Sequence, residues 1–209
     1  MLAAELSWPA QHVFEQYGGM GKGMNRRDLD GSRMTAADRV AAHHAGVGAN
    51  MAFRRETFDR VGSFDTALDV GTPSNGGGDL DISHRVLVAG LTIRYEPAAL
   101  MWHYHRRAPE QLRKQLYNNG RAFGVYLLKI LRTRTVPRRC ALRYAAFSWL
   151  GGWLFARLLK TVTKRERFPV RLVLAELWGA THALWAYGAT YRADRKRRTL
   201  SALPSGSHV

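Results

Sequence analysis

The sequence is poor in cysteine and in acidic residues, and each shortage excludes or favours a class of protein. Cys140 is the single cysteine among 209 residues, which excludes an internal disulfide and a cysteine-based zinc site. The 16 acidic residues face 32 lysines and arginines, which gives a formal net charge of +16. A charge of this sign favours an anionic partner, such as nucleic acid, an acidic membrane surface or a phosphorylated substrate.

Long apolar runs are also absent. Two uncharged, tryptophan-containing segments of the last third are Tyr144–Ala156 and Leu177–Tyr191, which as helices would measure about 20 and 23 Å. A hydrocarbon core is about 30 Å thick, so neither run predicts an ordinary membrane-spanning helix. Met1–Gln11 contains Glu5, Trp8 and Pro9 and has no apolar core, so we expect no signal peptide and a site on the cytoplasmic side.

Both uncharged segments contain tryptophan and lie beside basic clusters, Lys160–Arg167 and Arg192–Arg198. Aromatic, apolar helices with basic ends suit a membrane interface, where anionic lipid attracts the charge. A soluble hairpin packed on the domain and a tilted or re-entrant hairpin are the alternatives. We favour peripheral or interfacial attachment to the cytoplasmic face of the plasma membrane. A nucleic-acid partner is disfavoured, because the basic residues are not interleaved with aromatic ones on one face.

The most informative stretch is Gly76-Gly77-Gly78-Asp79, at the start of a predicted helix that ends at Ala89-Gly90. Glycine allows positive φ and lets a ligand approach the main chain closely. A carboxylate in the first turn is stabilised in its charged form by the helix dipole, as a general base requires. The alternative interpretation is a capped helix after a flexible loop.

An ordered set of short motifs surrounds Asp79. In chain order they are Gly48-Ala49-Asn50-Met51-Ala52-Phe53-Arg54-Arg55, Gly62-Ser63-Phe64-Asp65, Gly71-Thr72-Pro73, Gly77-Gly78-Asp79-Leu80-Asp81, Ala89-Gly90, Tyr95-Glu96-Pro97 and His103-Tyr104-His105-Arg106. No single motif is specific. The ordered set, from about Phe14 to about Tyr126, resembles the acceptor-side half of a family 2 glycosyltransferase of the inverting GT-A type.

The resemblance implies roles for particular residues. Asp79 stands where the family has its general base, which deprotonates the acceptor hydroxyl. Gly78 stands where many members have glutamate, so the usual carboxylate pair is incomplete. His103 takes the place of a metal ligand, and Mg²⁺ or Mn²⁺ would neutralise the leaving nucleoside diphosphate in the complete enzyme. The expected substrate-binding residues are Asn50, Arg54, Arg55, Gly77, Gly78 and Gln115.

Several of these residues also have a structural interpretation. Asn50 could satisfy a turn, Arg54 and Arg55 could be the solvated start of a helix, and Gln115 could belong to a packing helix over Pro109–Arg132. Asp65 is expected to cap or turn the chain. His103 and His105 alternate on a predicted strand, so both should point to one face, which also fits two polar side chains at a strand end.

Other short patterns are interpreted as structural. Val47–Phe53 alternates and predicts a strand. Asp79 and Asp81 should point in different directions on one helix, with Asp81 paired to Arg85 as a surface ion pair. Asp28-Leu29-Asp30 follows basic residues rather than a buried strand, so it is interpreted as a solvated loop, and His43-His44 as surface.

Nothing before Gly46 shows the β-α-β pattern of a nucleotide site. We therefore predict an α/β chain: a partial GT-A (nucleotide-diphospho-sugar transferase) domain followed by a C-terminal helical, membrane-interface region. The segments are a variable remnant (1–45), the acceptor-side half (46–132), an apolar helical hairpin (133–200) and a disordered tail (201–209).

The expected function is transfer of a sugar from a nucleotide sugar to a glycan or lipid-linked acceptor hydroxyl, in cell-envelope glycan or polysaccharide synthesis. The donor half is expected to be missing, so this chain alone should be inactive or weakly active. The alternative is an inactive basic module with a relict fold that binds membrane surfaces or nucleic acid.

Overall fold

Helices dominate the structure, a computed structural model that describes residues 1–163 and 167–201. The helices are α1 (Pro9–Tyr17), α2 (Ala36–Val40), α3 (Arg55–Val61), α4 (Gly78–Val88), α5 (Pro109–Thr133), α6 (Arg138–Arg143), α7 (Ala156–Val162), α8 (Val170–Thr181) and α9 (Ala183–Ser201). Short 3₁₀ turns span Ala42–His44 and Thr66–Leu68, and a π-helical segment, Tyr144–Phe155, joins α6 to α7. The strands are β1 (Leu2–Ala3), β2 (Arg27–Asp30), β3 (Thr92–Tyr95) and β4 (Trp102–His103).

The helices α4 and α5 lie where the sequence predicts them. The segment Met34–His44 contains α2 and a 3₁₀ turn, and the run Leu177–Tyr191 is divided between α8 and α9. The predicted tail falls largely on residues 202–209, which lie outside the described residues, as do residues 164–166 of the basic cluster at 160–167.

The strands form two separate pairs in the described part of the chain. The expected α/β organisation is therefore confirmed only in part, because the structure is mostly helical with a few strands. β1 and β4 are parallel, with Ala3 opposite His103. β2 and β3 are antiparallel, with Asp28 opposite Arg94. The prediction of a loop at Asp28–Asp30 is therefore wrong, although Asp28 is exposed as expected. The carboxylate of Asp28 binds Arg94 across the strand pair at 2.7 Å, which favours this register.

The predicted strand Val47–Phe53 is also wrong. This segment is irregular and pairs with no strand among the described residues. The backbone turns at Gly46, whose φ is +153°, and the N–H of Gly48 donates to the Asp79 side chain. The hydrogen bond from Gly48 to Asp79, at the start of α4, takes the place of the strand pairing that the alternating apolar pattern predicts.

The centre of the C-terminal half is the pair α5 and α8, which lie side by side in the same direction. Gly120 faces Glu176 of α8, and Gly124 faces Ala180 of α8 and Ala183 at the start of α9. A side chain on Gly120 would overlap the Glu176 carbonyl, and one on Gly179 would overlap the Tyr117 carbonyl. Gly120 and Gly179 therefore let the two backbones approach closely.

A buried ionic group joins α4 to α5. The ammonium of Lys129 lies 2.7 Å from an Asp65 oxygen and 2.6 Å from an Asp81 oxygen. Asp81 also binds Arg85 at 2.9 Å, as predicted, but it is only 3% exposed, so the prediction of a surface pair is wrong. Burial acts to raise the pKa of Asp65, but the hydrogen bond and charge of Lys129, together with hydrogen bonds from Ala67 and Tyr191, outweigh it and lower that pKa.

Helix α9 returns to the loop that leads into α4. The Asp194 carboxylate accepts from the Thr66 hydroxyl at 2.7 Å, and the Tyr191 hydroxyl donates to Asp65 at 2.9 Å. Asp65 also accepts from the N–H of Ala67 and caps the 3₁₀ turn, as expected. These hydrogen bonds fix the loop before Asp79 by contacts with the end of the described chain.

Candidate functional site

Asp79 lies at the start of α4 with both carboxylate oxygens bound by backbone donors. One oxygen accepts from the N–H of Gly48 at 3.0 Å, and the other from the N–H of Leu80 at 2.9 Å. Gly77 precedes the helix with φ of +104°, a conformation that a residue with a side chain rarely adopts. The glycine run therefore brings the chain to the helix at an angle that leaves Asp79 partly exposed.

Lys22 interacts electrostatically with Asp79 and with two neighbouring histidines, His43 and His44. Burial lowers the pKa of Lys22, the charge of Arg27 adds to this, and Asp79 opposes it. Burial lowers the pKa of His43 to about 4, with smaller contributions from His44 and Lys22. At neutral pH these features place the Lys22 ammonium within electrostatic reach of both the Asp79 side chain and an uncharged His43 imidazole.

Sequence reasoning missed Lys22 and interpreted His43 as surface. His43 is in fact half-buried, with its ring against Phe123 and its centroid 4.0 Å from that of the His44 ring, which is tilted by 39°. His44 is exposed, as expected. The only sequence signal for Lys22 is its position inside a glycine-rich segment, and the fold is needed to bring that segment to α4.

The expected substrate-binding residues around Asp79 have different environments. The side-chain amide of Asn50 donates to the Ala99 carbonyl at 2.8 Å, which is the structural role left open by the sequence. Arg54 precedes α3 at its N-cap position without a side-chain capping hydrogen bond, and Arg55 begins the helix; both are exposed, so their guanidinium groups are accessible to an anion. The contact of Gly48 with Asp79 brings the segment that contains Asn50 to the candidate base.

Gly78 and Gln115 lie further from this contact. Gly78 is the first residue of α4, next to the Leu68 carbonyl, and Gln115 is half-buried on α5. No hydrogen bond among the described residues joins either of them to Asp79.

His103 and His105 point to the same side, as predicted, with their Nδ1 atoms 3.1 Å apart. Only His103 is in a strand, because β4 ends there. No hydrogen bond or ion pair in the described ranges connects His103 with Asp79. The structure thus assembles the Asp79 site and a separate histidine site.

The described residues contain no group of three or more His, Cys, Asp or Glu side chains that could hold a metal ion. His103 by itself supplies one nitrogen ligand, whereas the usual protein ligands of Mg²⁺ are carboxylates, combined with phosphate oxygens and water.

The C-terminal helices expose a set of large apolar side chains. Trp178 on α8 is 62% exposed, Trp185 on α9 is 59% exposed, and Phe147 in the π-helical segment is 74% exposed. A groove of about 770 Å³ runs between the first turns of α5 and the outer face of α8, with Arg113 and Arg171 among its lining residues. None of the described helices is both long enough and apolar enough to cross a membrane.

Comparison of the chain with known protein families, curated proteins and solved structures finds no match.

Proposed function

We propose that this chain is the acceptor-side half of an inverting family 2 glycosyltransferase, with a GT-A type catalytic domain, that transfers a sugar from a nucleotide sugar to an acceptor hydroxyl. The main support is the placement of Asp79: a partly exposed carboxylate whose two oxygens are held by backbone N–H groups at a helix start. The role in cell-envelope glycan or polysaccharide synthesis belongs to the same proposal. The described residues before Gly46 form no β-α-β nucleotide site, so we expect the donor-binding half to come from outside this sequence.

In the proposed reaction Asp79 takes the proton of the acceptor hydroxyl. The acceptor oxygen then attacks the anomeric carbon, the bond from that carbon to the diphosphate oxygen breaks, and the configuration inverts. The exposed guanidinium groups of Arg54 and Arg55 suit the diphosphate oxygens. His103 would hold Mg²⁺ or Mn²⁺, which when bound neutralises charge on the leaving nucleoside diphosphate.

The test is Asp79→Asn in the native protein, assayed for transfer from a panel of nucleotide sugars. Asparagine also caps helices well and keeps an acceptor oxygen for Gly48, so the fold should persist. A general base contributes about 10²–10⁴-fold to rate, so turnover should fall by at least 100-fold while donor binding is retained. The matched control is Asp59→Asn, an exposed carboxylate on α3. Turnover of Asp79→Asn equal to that of the control would refute the assignment.

We also propose that the C-terminal helices attach the protein to the cytoplasmic face of an anionic membrane. Exposed tryptophans beside arginines combine an apolar surface with attraction for anionic headgroups. In co-sedimentation with phosphatidylglycerol vesicles, Trp178→Ala and Arg171→Gln should each weaken binding, whereas Trp102→Ala, an equally exposed tryptophan on β4, should not. Equal binding to uncharged phosphatidylcholine vesicles would contradict the electrostatic part of this proposal.

The same surface supports the second candidate function, an inactive basic module with a relict fold. That function predicts vesicle binding without any turnover in the native protein. A salt-sensitive shift with DNA and no binding to anionic vesicles would instead identify a nucleic-acid binder.

A further inference from the structure

A second groove, here called the α9 groove, lies between α9 and the loop before α4. It has a volume of about 1010 Å³, and its lining includes Ser63 and Phe64 from the loop and Arg195 and Arg198 from α9. Asp79 is not one of the residues that line it. The α9 groove is therefore separate from the candidate general base.

One face of α9 forms the first wall of the α9 groove. Tyr191, Arg195 and Arg198 follow one another at a spacing of four and then three residues, which places them on the same face of the helix. The Tyr191 hydroxyl donates to Asp65 at 2.9 Å, so this face is turned towards the loop. Two guanidinium groups therefore lie side by side along the groove.

Arg85 fixes the opposite wall. Its Nη2 donates to the Ser63 carbonyl at 2.9 Å, and its Nη1 donates to the Gly62 carbonyl at 3.2 Å. The Ser63 side chain is exposed, and its hydroxyl forms no hydrogen bond in the described part of the chain. Phe64 beside it is 41% exposed, with its ring centroid 5.8 Å from that of Phe53. This wall thus offers an unused hydroxyl donor next to an apolar ring.

The carboxylates in the α9 groove are already paired, whereas part of its positive charge is not. Asp65 binds Lys129 at 2.7 Å, and Asp194 binds Nε of Arg198 at 2.7 Å. The Arg198 side chain is still 69% exposed, and its two Nη atoms bind no described residue. Among residues 1–163 and 167–201, none forms an ion pair or a hydrogen bond with the Arg195 guanidinium. The groove therefore has an excess of positive charge and several unused N–H donors.

We propose that the α9 groove binds a phosphate-bearing anion, held by Arg195, the Nη atoms of Arg198 and the Ser63 hydroxyl. Guanidinium groups suit phosphate oxygens because they present several N–H donors in a fixed plane. Such an anion connects α9 to the loop before α4 and stabilises their contact. A free diphosphate and the headgroup of an anionic lipid share this chemistry. The proposal does not depend on the transfer reaction, because it concerns neither Asp79 nor His103.

Sodium pyrophosphate is the probe for a soluble ligand, titrated calorimetrically into the full chain at low salt. The wild type should bind one pyrophosphate per chain. A charge-assisted hydrogen bond to phosphate contributes about 10-fold to affinity, so Arg195→Gln should weaken binding by at least about five-fold, and Arg198→Gln should do the same. The matched control is Lys196→Gln, which removes an equal charge from an exposed position of α9 outside the groove and should leave the affinity nearly unchanged.

The position of the anion can be read from ¹⁵N–¹H spectra during the same titration. The backbone amide signals of Ser63 and Phe64 should shift and saturate together with the calorimetric signal. Pyrophosphate binding that leaves both signals unchanged would place the anion elsewhere and overturn the proposal.

Vesicles of phosphatidylglycerol test the lipid source. If pyrophosphate does not bind, but Arg195→Gln weakens co-sedimentation with these vesicles and Lys196→Gln does not, the ligand is a lipid headgroup. If pyrophosphate binds as expected, the site accepts a soluble phosphate. An equal effect of Arg195→Gln and Lys196→Gln with both probes would overturn the proposal, because the interaction would then depend on overall charge and not on the groove.

Discussion

The ionic group around Lys129 gives a sharp stability prediction. Its ammonium binds two carboxylates, Asp65 and Asp81, and the Asp81 side chain is 4% exposed. Lys129→Met keeps the length and apolar stem of the side chain but leaves Asp81 with Arg85 as its only cationic partner. The perturbation therefore removes one charge from a buried cluster and changes its packing little.

Breaking a buried pair by removing one partner costs about 3–5 kcal/mol, because a buried charge is left uncompensated. Since Arg85 still binds Asp81, we expect the lower end, about 3 kcal/mol. For a chain of this size 1 kcal/mol corresponds to about 2–4 °C, so the melting temperature should fall by about 6–12 °C. The exposed pair Arg94–Asp28 should contribute only about 0–1 kcal/mol by comparison.

Urea unfolding followed by circular dichroism would measure these free energies. The double variant Lys129→Met with Asp81→Asn should recover part of the loss, because the unpaired carboxylate is removed as well. Arg94→Met serves as the exposed control. A loss below 1 kcal/mol for Lys129→Met, or no recovery in the double variant, would show that the cluster is better solvated than its burial indicates.

Three further predictions concern other parts of the fold. Burial raises the pKa of Glu176. Above the ordinary carboxyl pKa of 4.5, the folded chain therefore retains a proton that the unfolded chain releases. The free energy of unfolding consequently falls as the pH rises from 4.5 towards the pKa of the folded chain. Glu176→Gln should therefore lose less unfolding free energy than wild type between pH 5 and 7; an identical pH dependence in urea unfolding would contradict this sign. Gly120→Leu should separate α5 from α8 and abolish cooperative thermal unfolding, whereas a cooperative transition with an unchanged midpoint would rule out the close approach. Thr35→Ala removes a side chain that accepts from the N–H of Asp38 and should cost about 1 kcal/mol in urea unfolding; a loss no larger than that of Ser32→Ala would show that this cap is solvated.

The sequence predicts those elements whose signals are local. The helices α1 and α5 each begin with a proline in the first turn and carry a regular apolar face, and α4 follows a glycine run and starts with acidic residues. The placement of Asp79 at the start of α4 follows from the same local pattern. These features depend on residues within one or two turns, so a single sequence contains the needed information.

Features that depend on distant partners could not be predicted in this way. Val47–Phe53 alternates as a strand does, but the decisive interaction is the bond from Gly48 to Asp79, 31 residues later. From the sequence alone, Asp81 is interpreted as an exposed partner of Arg85. In the structure, α5 places Lys129 against Asp81 as well. The contact of Glu15 with His105 joins residues 90 positions apart, and neither local spacing nor composition indicates that contact.

The hydrogen bonds between α9 and the 3₁₀ turn before α4 set an order of events during synthesis. Thr66 and Asp194 are 128 residues apart, so at about 5–20 residues per second the ribosome needs about 6–26 s to add the second after the first. Helix α4 can form early in this interval, but the loop that enters it stays without its final partners. Maturation of the Asp79 site is therefore a late event. Ribosome-bound chains that end before α9 should contain α4, but the loop before α4 should lack its hydrogen bonds to α9.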